Sequence, residues 1–524
     1  MFYNSSNGFE YNDCVSRGAC SVSPTISSMQ EVMFIVLRQI AYYLVKLKEF
    51  DIKKENIEKE LISQIALIDS VKDFSEVQIL DAFSMQYNNL VQARKEYLKL
   101  CREKELQCKD LKNLIKLSPK TNLSAILKRG DREFLQKYKH QSSKYLTDIL
   151  SAVLKSVCVN LVTLFDINET CVEASDTVIN SLNLFNLSRL SSAKLIEYIT
   201  SLAKCDVELL NLISQYETQS YGEIEENDVS YATRPHKAIM VSGSNFSDLK
   251  SVLETVRDKD IDVYTNGNLL IAHAFPYFKN SKNLKGHFGA GVFNTILDFA
   301  TFPGAILLTK NESQNIEYLY RGRLFTTDDI SPQGIVKIEN NDFSPLIDSA
   351  LQAKGFAKGQ NRGSEKVGFN EDKLKSDLDK IINAERIFII GPSNLSLKQK
   401  DYFEKFFAIM PENTAAISFS YNPDMKNVIA LNLGNDYAIL YKVLKIIFEK
   451  IPVDSEKLAF FFTKCDVNSL SNIINLHNKG AKNLFISDCP PLVINPAVLR
   501  SFTELFNVKH ITNPKDNLSE LGIN

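Results

Sequence analysis

Neither sign of charge predominates in this 524-residue chain: 61 Lys and Arg face 63 Asp and Glu, for a formal net charge of −2. Such a balance supplies no global field to draw the protein onto nucleic acid or an anionic membrane. The Lys95–Lys116 stretch is basic, but Glu103, Glu105 and Asp110 offset it, so it reads as a solvated helix face. Long apolar runs are lacking too. Met33–Val45 is interrupted by Arg38 and Gln39 and is too short to span a bilayer. Met1-Phe2-Tyr3 leads into polar residues, without the basic start and apolar core of a secretory leader, and a cytoplasmic location is expected. Cysteine is sparse, 9 in all, scattered and odd in number, which suits reduced thiols rather than a disulfide framework. No Ser-His-Asp spacing and no zinc-finger pattern emerges. What is left is ordinary globular composition, 44% hydrophobic and 24% charged.

The first part of the chain reads as helix after helix. Met29, Val32, Met33, Val36, Ile40, Leu44 and Leu47 recur at three- and four-residue spacing, the stripe of an amphipathic helix. "FSMQYNNLVQARKEYLKLCREKELQCKDLKNLIKL" then continues for many turns without glycine or proline, which predicts one long helix in a bundle. On that helix Cys101 and Cys108 fall two turns apart on the apolar side, as core residues.

Composition changes at the acidic "YGEIEENDVSYATRPHK". From there strands and helices alternate: "KAIMVSG", "IDVYTNG", "GAILLTK" and "RLFTT" read as strands, with a helix at "DLKSVLETVRDK". After the Gly- and charge-rich linker Lys354–Asp372, a second run follows. Its strands are "RIFIIGPSN", "AAISFSYN", "NVIALNLG", "KLAFFFTK", "NLFISD" and "VKHIT", and "YAILYKVLKIIFEK" is among its helices. Continuous apolar strands between amphipathic helices indicate parallel sheets covered on both faces. The expected fold is α/β multidomain: a helical domain over 1–228, then Rossmann-like domains over 229–365 and 366–524.

In such sheets ligands collect beyond the carboxyl ends of the strands. Asn266-Gly267-Asn268 follows a strand directly, as do Ser244-Asn245, Asn311-Glu312, Ser393-Asn394, Tyr421-Asn422 and Cys465-Asp466. Asn266-Gly267 is also a turn signal in its own right, so Asn268 serves either a small polar ligand or the turn backbone. His273, inside "LLIAHAFP", reads as core packing. Cys465 and Cys489 read as structural, with no basic partner in sequence. "GHFGAG" (286–291) lacks the preceding strand and the Lys-Ser/Thr of a phosphate loop and is discounted.

The stretches "VSGSNFSDLKSVLE", "DVYTNGNLLIAHAFP", "FPGAILLTKN", "RLFTT", "DFSPLIDSAL" and "KGAKNLFISDCPPLVINPAVL" resemble, in order, the hybrid-cluster protein family, also called hydroxylamine reductase or prismane protein, a relative of the carbon monoxide dehydrogenases. "RGACSVSPTISSMQEVM" extends a weaker likeness to the N-terminus. The resemblance implies a helical domain, two Rossmann-like domains, a 4Fe-4S cubane on four N-terminal cysteines, and a hybrid iron–sulfur–oxygen cluster at strand ends.

Residue by residue, that implied donor set is largely missing. Where the family has its first two cysteines this chain has Tyr3 and Ser6, and only Cys14 and Cys20 match. Two thiolates fall short of the four a cubane takes. The family's histidine falls at Ser244 and its first glutamate at Asn268. Its cysteines fall at Glu312, Ser393, Tyr421 and near Asn435 or Asp436, and the late glutamate and lysine at Asp466 and Asn468.

Hydroxyl, amide and phenol groups are poor substitutes for thiolate and imidazole. The expectation is therefore a scaffold without a cluster, a pseudoenzyme acting as a binding or regulatory partner. It would hold a protein partner or a small polar ligand, with no cofactor, no nucleic acid and no membrane, and with oligomerisation left open. Three alternatives stand beside it, one of them a purely structural partner in a hetero-oligomer with a cluster-bearing homologue. Glu312, Asp466, Asn268 and Asn311 are oxygen donors suited to Mg²⁺ or Ca²⁺. A hydroxylamine or nitric oxide reductase with a reorganised metal site would draw on Cys14, Cys20, Glu312 and Asp466.

Overall fold

The computed structural model describes residues 24–67, 76–137, 144–187, 190–289, 295–310, 322–328, 334–392, 395, 397–419, 422–464, 466–487 and 496–523. These divide into two compact units. One lies within Met1–Leu210, Cys465–Asn478 and Cys489–Asn507; the other lies within Asn211–Lys464, Lys479–Asp488 and Val508–Asn524.

Among the described residues seven helices precede the first strand: α1 (Pro24–Lys48), α2 (Glu55–Leu67), α3 (Glu76–Glu103), α4 (Leu123–Lys137), α5 (Lys144–Asp166), α6 (Val172–Leu184) and α7 (Ser192–Tyr221). The apolar stripe of α1 is buried at every position from Met29 to Leu47 that its spacing singles out. Each such side chain contributes roughly 1.5–3 kcal/mol by leaving water. In the first unit α1 packs against α3, α4 and α6, while α5 packs against α2, α6 and the later helices Val467–Asn478 and Pro496–Leu505. Tyr145–Asp166 is long and apolar enough to cross a bilayer, but most of it is buried inside the fold, as in a core helix.

The single long helix expected through Leu117 stops at Glu103. Glu105 adopts a left-handed φ of 52°, Leu106 N donates to Cys101 O (2.8 Å) and Glu105 N to Arg102 O (3.2 Å). This pair of bonds is a Schellman stop. Beyond it the chain finds partners that a helix would deny it. The Asp110 carboxylate takes Arg94 Nε and Nη2 (3.1 and 2.5 Å), the Tyr43 hydroxyl and the Leu111 N–H. Gln39 clips the backbone at Asn113 O (2.9 Å) and Ile115 N (3.0 Å). Cys101 and Cys108, expected as reduced core residues of one helix, are joined by a disulfide with Cα atoms 5.9 Å apart. Two turns of helix would hold them about 10 Å apart. The reversal brings them together.

The second unit holds fourteen strands among the described residues: β1 (Asn227–Ser230), β2 (Ala238–Ser242), β3 (Asp262–Asn266), β4 (Leu284–His287), β5 (Ala305–Leu308), β6 (Leu324–Thr326), β7 (Val336–Lys337), β8 (Ser364–Val367), β9 (Ile387–Gly391), β10 (Ala415–Ser418), β11 (Val428–Ala430), β12 (Leu458–Phe462), β13 (Asn483–Ile486) and β14 (Val508–His510). Two six-stranded sheets have the orders β4-β3-β2-β5-β6-β7 and β11-β10-β9-β12-β13-β14, every neighbouring pair parallel. Both follow the doubly wound dinucleotide-fold order, whose switch point lies between the first and fourth strands in chain order. Strands β2, β3, β5, β9, β10 and β12 are buried throughout, which explains apolar runs without alternation.

The presumed linker 354–372 is partly structured. Its β8 pairs antiparallel with β1, with Asn227 opposite Val367. Only Val367 of β8 is buried, so the strand carries no apolar signal to read. The segment "GHFGAG" does have a strand before it, since β4 runs through Gly286 and His287.

Candidate functional site

The carboxyl ends of the first sheet are stitched by polar side chains. Ser242 Oγ donates to Asn266 Oδ1 (2.8 Å), and Asn266 Nδ2 donates to Phe288 O (2.6 Å) and Asp298 Oδ2 (3.3 Å). Asn266 is 3% exposed. Gly289, at φ +124°, leaves the room this cluster needs: a Cβ there would stand 2.3 Å from Asp298 Oδ2 and 2.6 Å from Asn266 Nδ2. One strand residue earlier, Thr265 Oγ1 lies 2.8 Å from His273 Nε2 and 2.9 Å from His287 Nδ1. A hydroxyl has one proton to give, so it donates to one ring at most, and a ring that accepts from it is a neutral imidazole. Burial lowers His273 to about 4 and His287 to about 3. His273 is a core residue, as its setting in sequence suggests.

At both switch points a buried threonine closes the gap. Thr309, following β5, accepts through Oγ1 from Ser244 N (3.1 Å) and Asn245 N (3.4 Å). Thr463, following β12, donates its backbone N–H to Gly391 O (3.2 Å) and its hydroxyl to Pro392 O, while Ser487 Oγ donates to Thr463 O (2.9 Å). Where a doubly wound fold opens a crevice for ligand, the backbone here is tied across it.

Of the positions singled out in sequence, Ser244 and Asn268 sit at these tips. The Ser244 residue is exposed, and Asn245 beside it caps the helix Phe246–Thr255 through Asp248 N (3.0 Å). Asn268 Oδ1 accepts from Asn435 Nδ2 (3.1 Å). Asn435 Oδ1 is buried and takes no donor among the described residues. Asp436 caps the helix Tyr437–Lys450 by accepting from Ile439 N (2.9 Å), and burial raises its carboxyl above the ordinary range. Sequence reasoning missed Glu217, a buried carboxyl of α7. Desolvation and the nearby Asp436 hold its pKa well up, against the smaller pull of Lys442. It sits in an amphipathic helix like any other glutamate.

In the first unit, Asp466 and Asn468 meet residues that sequence reading passed over. Asn468 Oδ1 accepts from Ser156 Oγ (2.8 Å), which also bonds Asp206 Oδ2 (2.7 Å), and Asn160 Nδ2 donates to Asp206 Oδ1 (2.7 Å). Asp466 caps the helix Val467–Asn478 at Ser469 N (2.8 Å). Asp206 is fully buried, and desolvation raises its pKa to about 6, with the Asp466 charge adding to the rise. Ser156 and Asn160, one turn apart on the apolar α5, are the signal that could have revealed this cluster.

Glu312, Ser393, Tyr421, Cys14, Cys20, Asn311, Cys465 and Cys489 lie outside the described residues. Asn268 and Asp466 belong to different units. Among the described residues no three His, Cys, Asp or Glu side chains gather into a group able to hold a metal ion.

The family model described as Prismane/CO dehydrogenase family matches residues 10–418. A protein named hydroxylamine reductase from Thermosipho melanesiensis is 23% identical, over 97% of this chain and 97% of its own length. The hydroxylamine reductase of Thermodesulfovibrio yellowstonii is likewise 23% identical, with 97% and 98% covered, and that of Solidesulfovibrio magneticus is 26% identical over 62% and 64%. A solved structure titled for NiZn[Fe4S4] and NiNi[Fe4S4] clusters in the alpha subunits of acetyl-CoA synthase/carbon monoxide dehydrogenase aligns over 96% of this chain and 83% of its own, at 11% identity and a TM-score of 0.47.

Proposed function

This chain belongs to the Prismane/CO dehydrogenase family, and we propose that it is a member without a redox cluster, a scaffold that works by binding a protein partner or a small polar ligand. One observation carries this reading. Where the resemblance implies imidazole, carboxylate and ammonium groups, the chain presents Ser244, Asn268 and Asn468, and the two amides are spent on other protein groups, Asn435 and Ser156. Clusters of this kind are held by thiolate sulfur, with imidazole in some centres. The described tips do not fit such a cluster: amide oxygens already engaged in hydrogen bonds are poor iron ligands. The remaining implied positions, Glu312, Ser393 and Tyr421, offer carboxylate, hydroxyl and phenol in place of sulfur.

A second reading has the relatives' printed name in its favour: an oxidoreductase acting on hydroxylamine, with Glu312 among the donors of a reorganised metal site. One experiment separates the two. Iron and acid-labile sulfide are measured in protein purified without oxygen, and reoxidation of a reduced dye by hydroxylamine is followed in the same sample. The scaffold reading expects iron far below one atom per chain and no reoxidation above the protein-free rate. Stoichiometric iron with turnover, abolished by Glu312→Ala, establishes the oxidoreductase instead.

A further inference from the structure

We propose that Cys101 and Cys108 form a thiol–disulfide exchange site, through which low-molecular-mass thiols control the docking of segment 104–116 on α1 and α3. The pair is placed by the backbone. The Schellman stop at Glu105 turns the chain back after one residue, and the bond from Leu106 N to Cys101 O fixes the return. The Cα separation of 5.9 Å lies where disulfides commonly form. Cys101 is buried, whereas Cys108 is partly exposed, which makes Cys108 the side of the pair nearer to solvent. Exposure of one sulfur of a pair governs which is attacked.

What the bond secures is specific. Besides the disulfide, the segment is attached by Tyr42 Oη to Lys109 O (2.7 Å), Tyr97 Oη to Lys109 O (3.4 Å), the Arg94–Asp110 ion pair and the Tyr43 hydroxyl on Asp110, and farther along by the Gln39 clip and the buried Ile115 side chain. The Arg94 and Asp110 side chains are each about one-third exposed, so their pairing adds little by itself. The covalent link ties the stretch next to the turn, before the Gln39 and Ile115 attachments begin.

The step balances without a metal. A small thiolate attacks Cys108 Sγ, the Cys101 sulfur leaves as thiolate and takes a proton, and a mixed disulfide forms at Cys108. A second thiol then attacks its own kind within the mixed disulfide and frees Cys108. The net change is two electrons and two protons from two thiols to the protein disulfide, and one small disulfide is released.

The test uses the full chain in glutathione buffers of stepped reduced-to-oxidised ratio, quenched with acid and alkylated. Trypsin cuts after Lys99, Arg102, Lys104 and Lys109, so the Cys101 and Cys108 peptides stay linked only through sulfur. The expected result is a linked peptide that gives way to two alkylated ones as the buffer becomes reducing. Amide exchange across 106–115 is expected to quicken on the order of tenfold or more in the reduced form. Cys108→Ser is expected to show the fast exchange in every buffer. Both thiols alkylated in the most oxidising buffer overturns the proposal. So does a linked pair whose reduction leaves exchange across 106–115 unchanged.

Discussion

Asn435 Nδ2 donates to Asn268 Oδ1 across 3.1 Å, joining the tip of β3 to the residue that precedes the cap of the helix Tyr437–Lys450. The bond belongs to the protein and requires no ligand. Replacing Asn268 with alanine removes a neutral, partly exposed hydrogen bond, at an expected cost of about 1 kcal/mol. Urea unfolding reads that loss, and iron content is expected not to change. A fall in bound iron on Asn268→Ala identifies the residue as part of a metal site and removes the ground for the scaffold reading.

The neutral histidines around Thr265 make stability depend on pH in a defined direction. Burial holds His273 at about 4 and His287 at about 3, below the ordinary value near 6.5 that the unfolded chain recovers. Between those limits the unfolded state binds more protons than the folded one. The contribution is therefore complete above about pH 6.5 and is lost as pH falls towards 3. Each ring supplies a slope of about 1.4 kcal/mol per pH unit inside its window. His287→Gln is expected to flatten the unfolding free energy against pH between 6 and 4 by one proton's worth. An unchanged slope shows that the ring is solvated or already charged.

Asp206 acts in the opposite sense. Its pKa, raised to about 6 by burial, means that the folded state keeps a proton the unfolded carboxyl gives up near 4. Stability is lost as pH rises from about 4 to about 6, and the penalty persists at neutral pH. The Ser156 and Asn160 bonds also suit an amide at this position. Asp206→Asn is thus expected to stabilise at pH 7.5 by roughly 1–3 kcal/mol and by little at pH 4. Denaturant midpoints of wild type and variant at the two pH values provide the check. Destabilisation at pH 7.5 refutes it.

Much of the fold was legible because its signals are local. The β2, β5 and β12 runs are apolar without alternation, and "YAILYKVLKIIFEK" matches the helix Tyr437–Lys450 residue for residue. The failures have physical causes. The helix stop at Glu105 uses a left-handed non-glycine residue, which leaves no mark in sequence, and the Asp110 partners that favour it are far away along the chain. Strand β8 shows three residues to solvent, and its pairing with β1 and the contacts of Glu365 with Tyr231 and Asn432 leave no apolar pattern to read. At the site, Ser244 and Asn268 were found from strand ends and family likeness. Glu217 and Asp206 were invisible because burial, not residue type or spacing, gives them their character, whereas Ser156 and Asn160 leave a polar pair on an otherwise apolar helix.

The threonines at the switch points decide whether the old crevice is open or tied shut. Thr309 is fully buried, and its Oγ1 is the acceptor for two consecutive backbone N–H groups, Ser244 and Asn245. Thr309→Val keeps the shape and removes that oxygen. Losing these partly exposed hydrogen bonds costs about 0.5–1.5 kcal/mol. The loop after β2 then loses this tie to the residue after β5, so its amide exchange is expected to quicken on the order of tenfold. If the tips hold a small polar ligand, loosening them lowers its affinity along with the stability. Hydrogen-exchange mass spectrometry over 243–248 reads the first effect directly. Protection that survives Thr309→Val shows that the loop is held by something other than the threonine, and the tied-crevice account fails at that sheet.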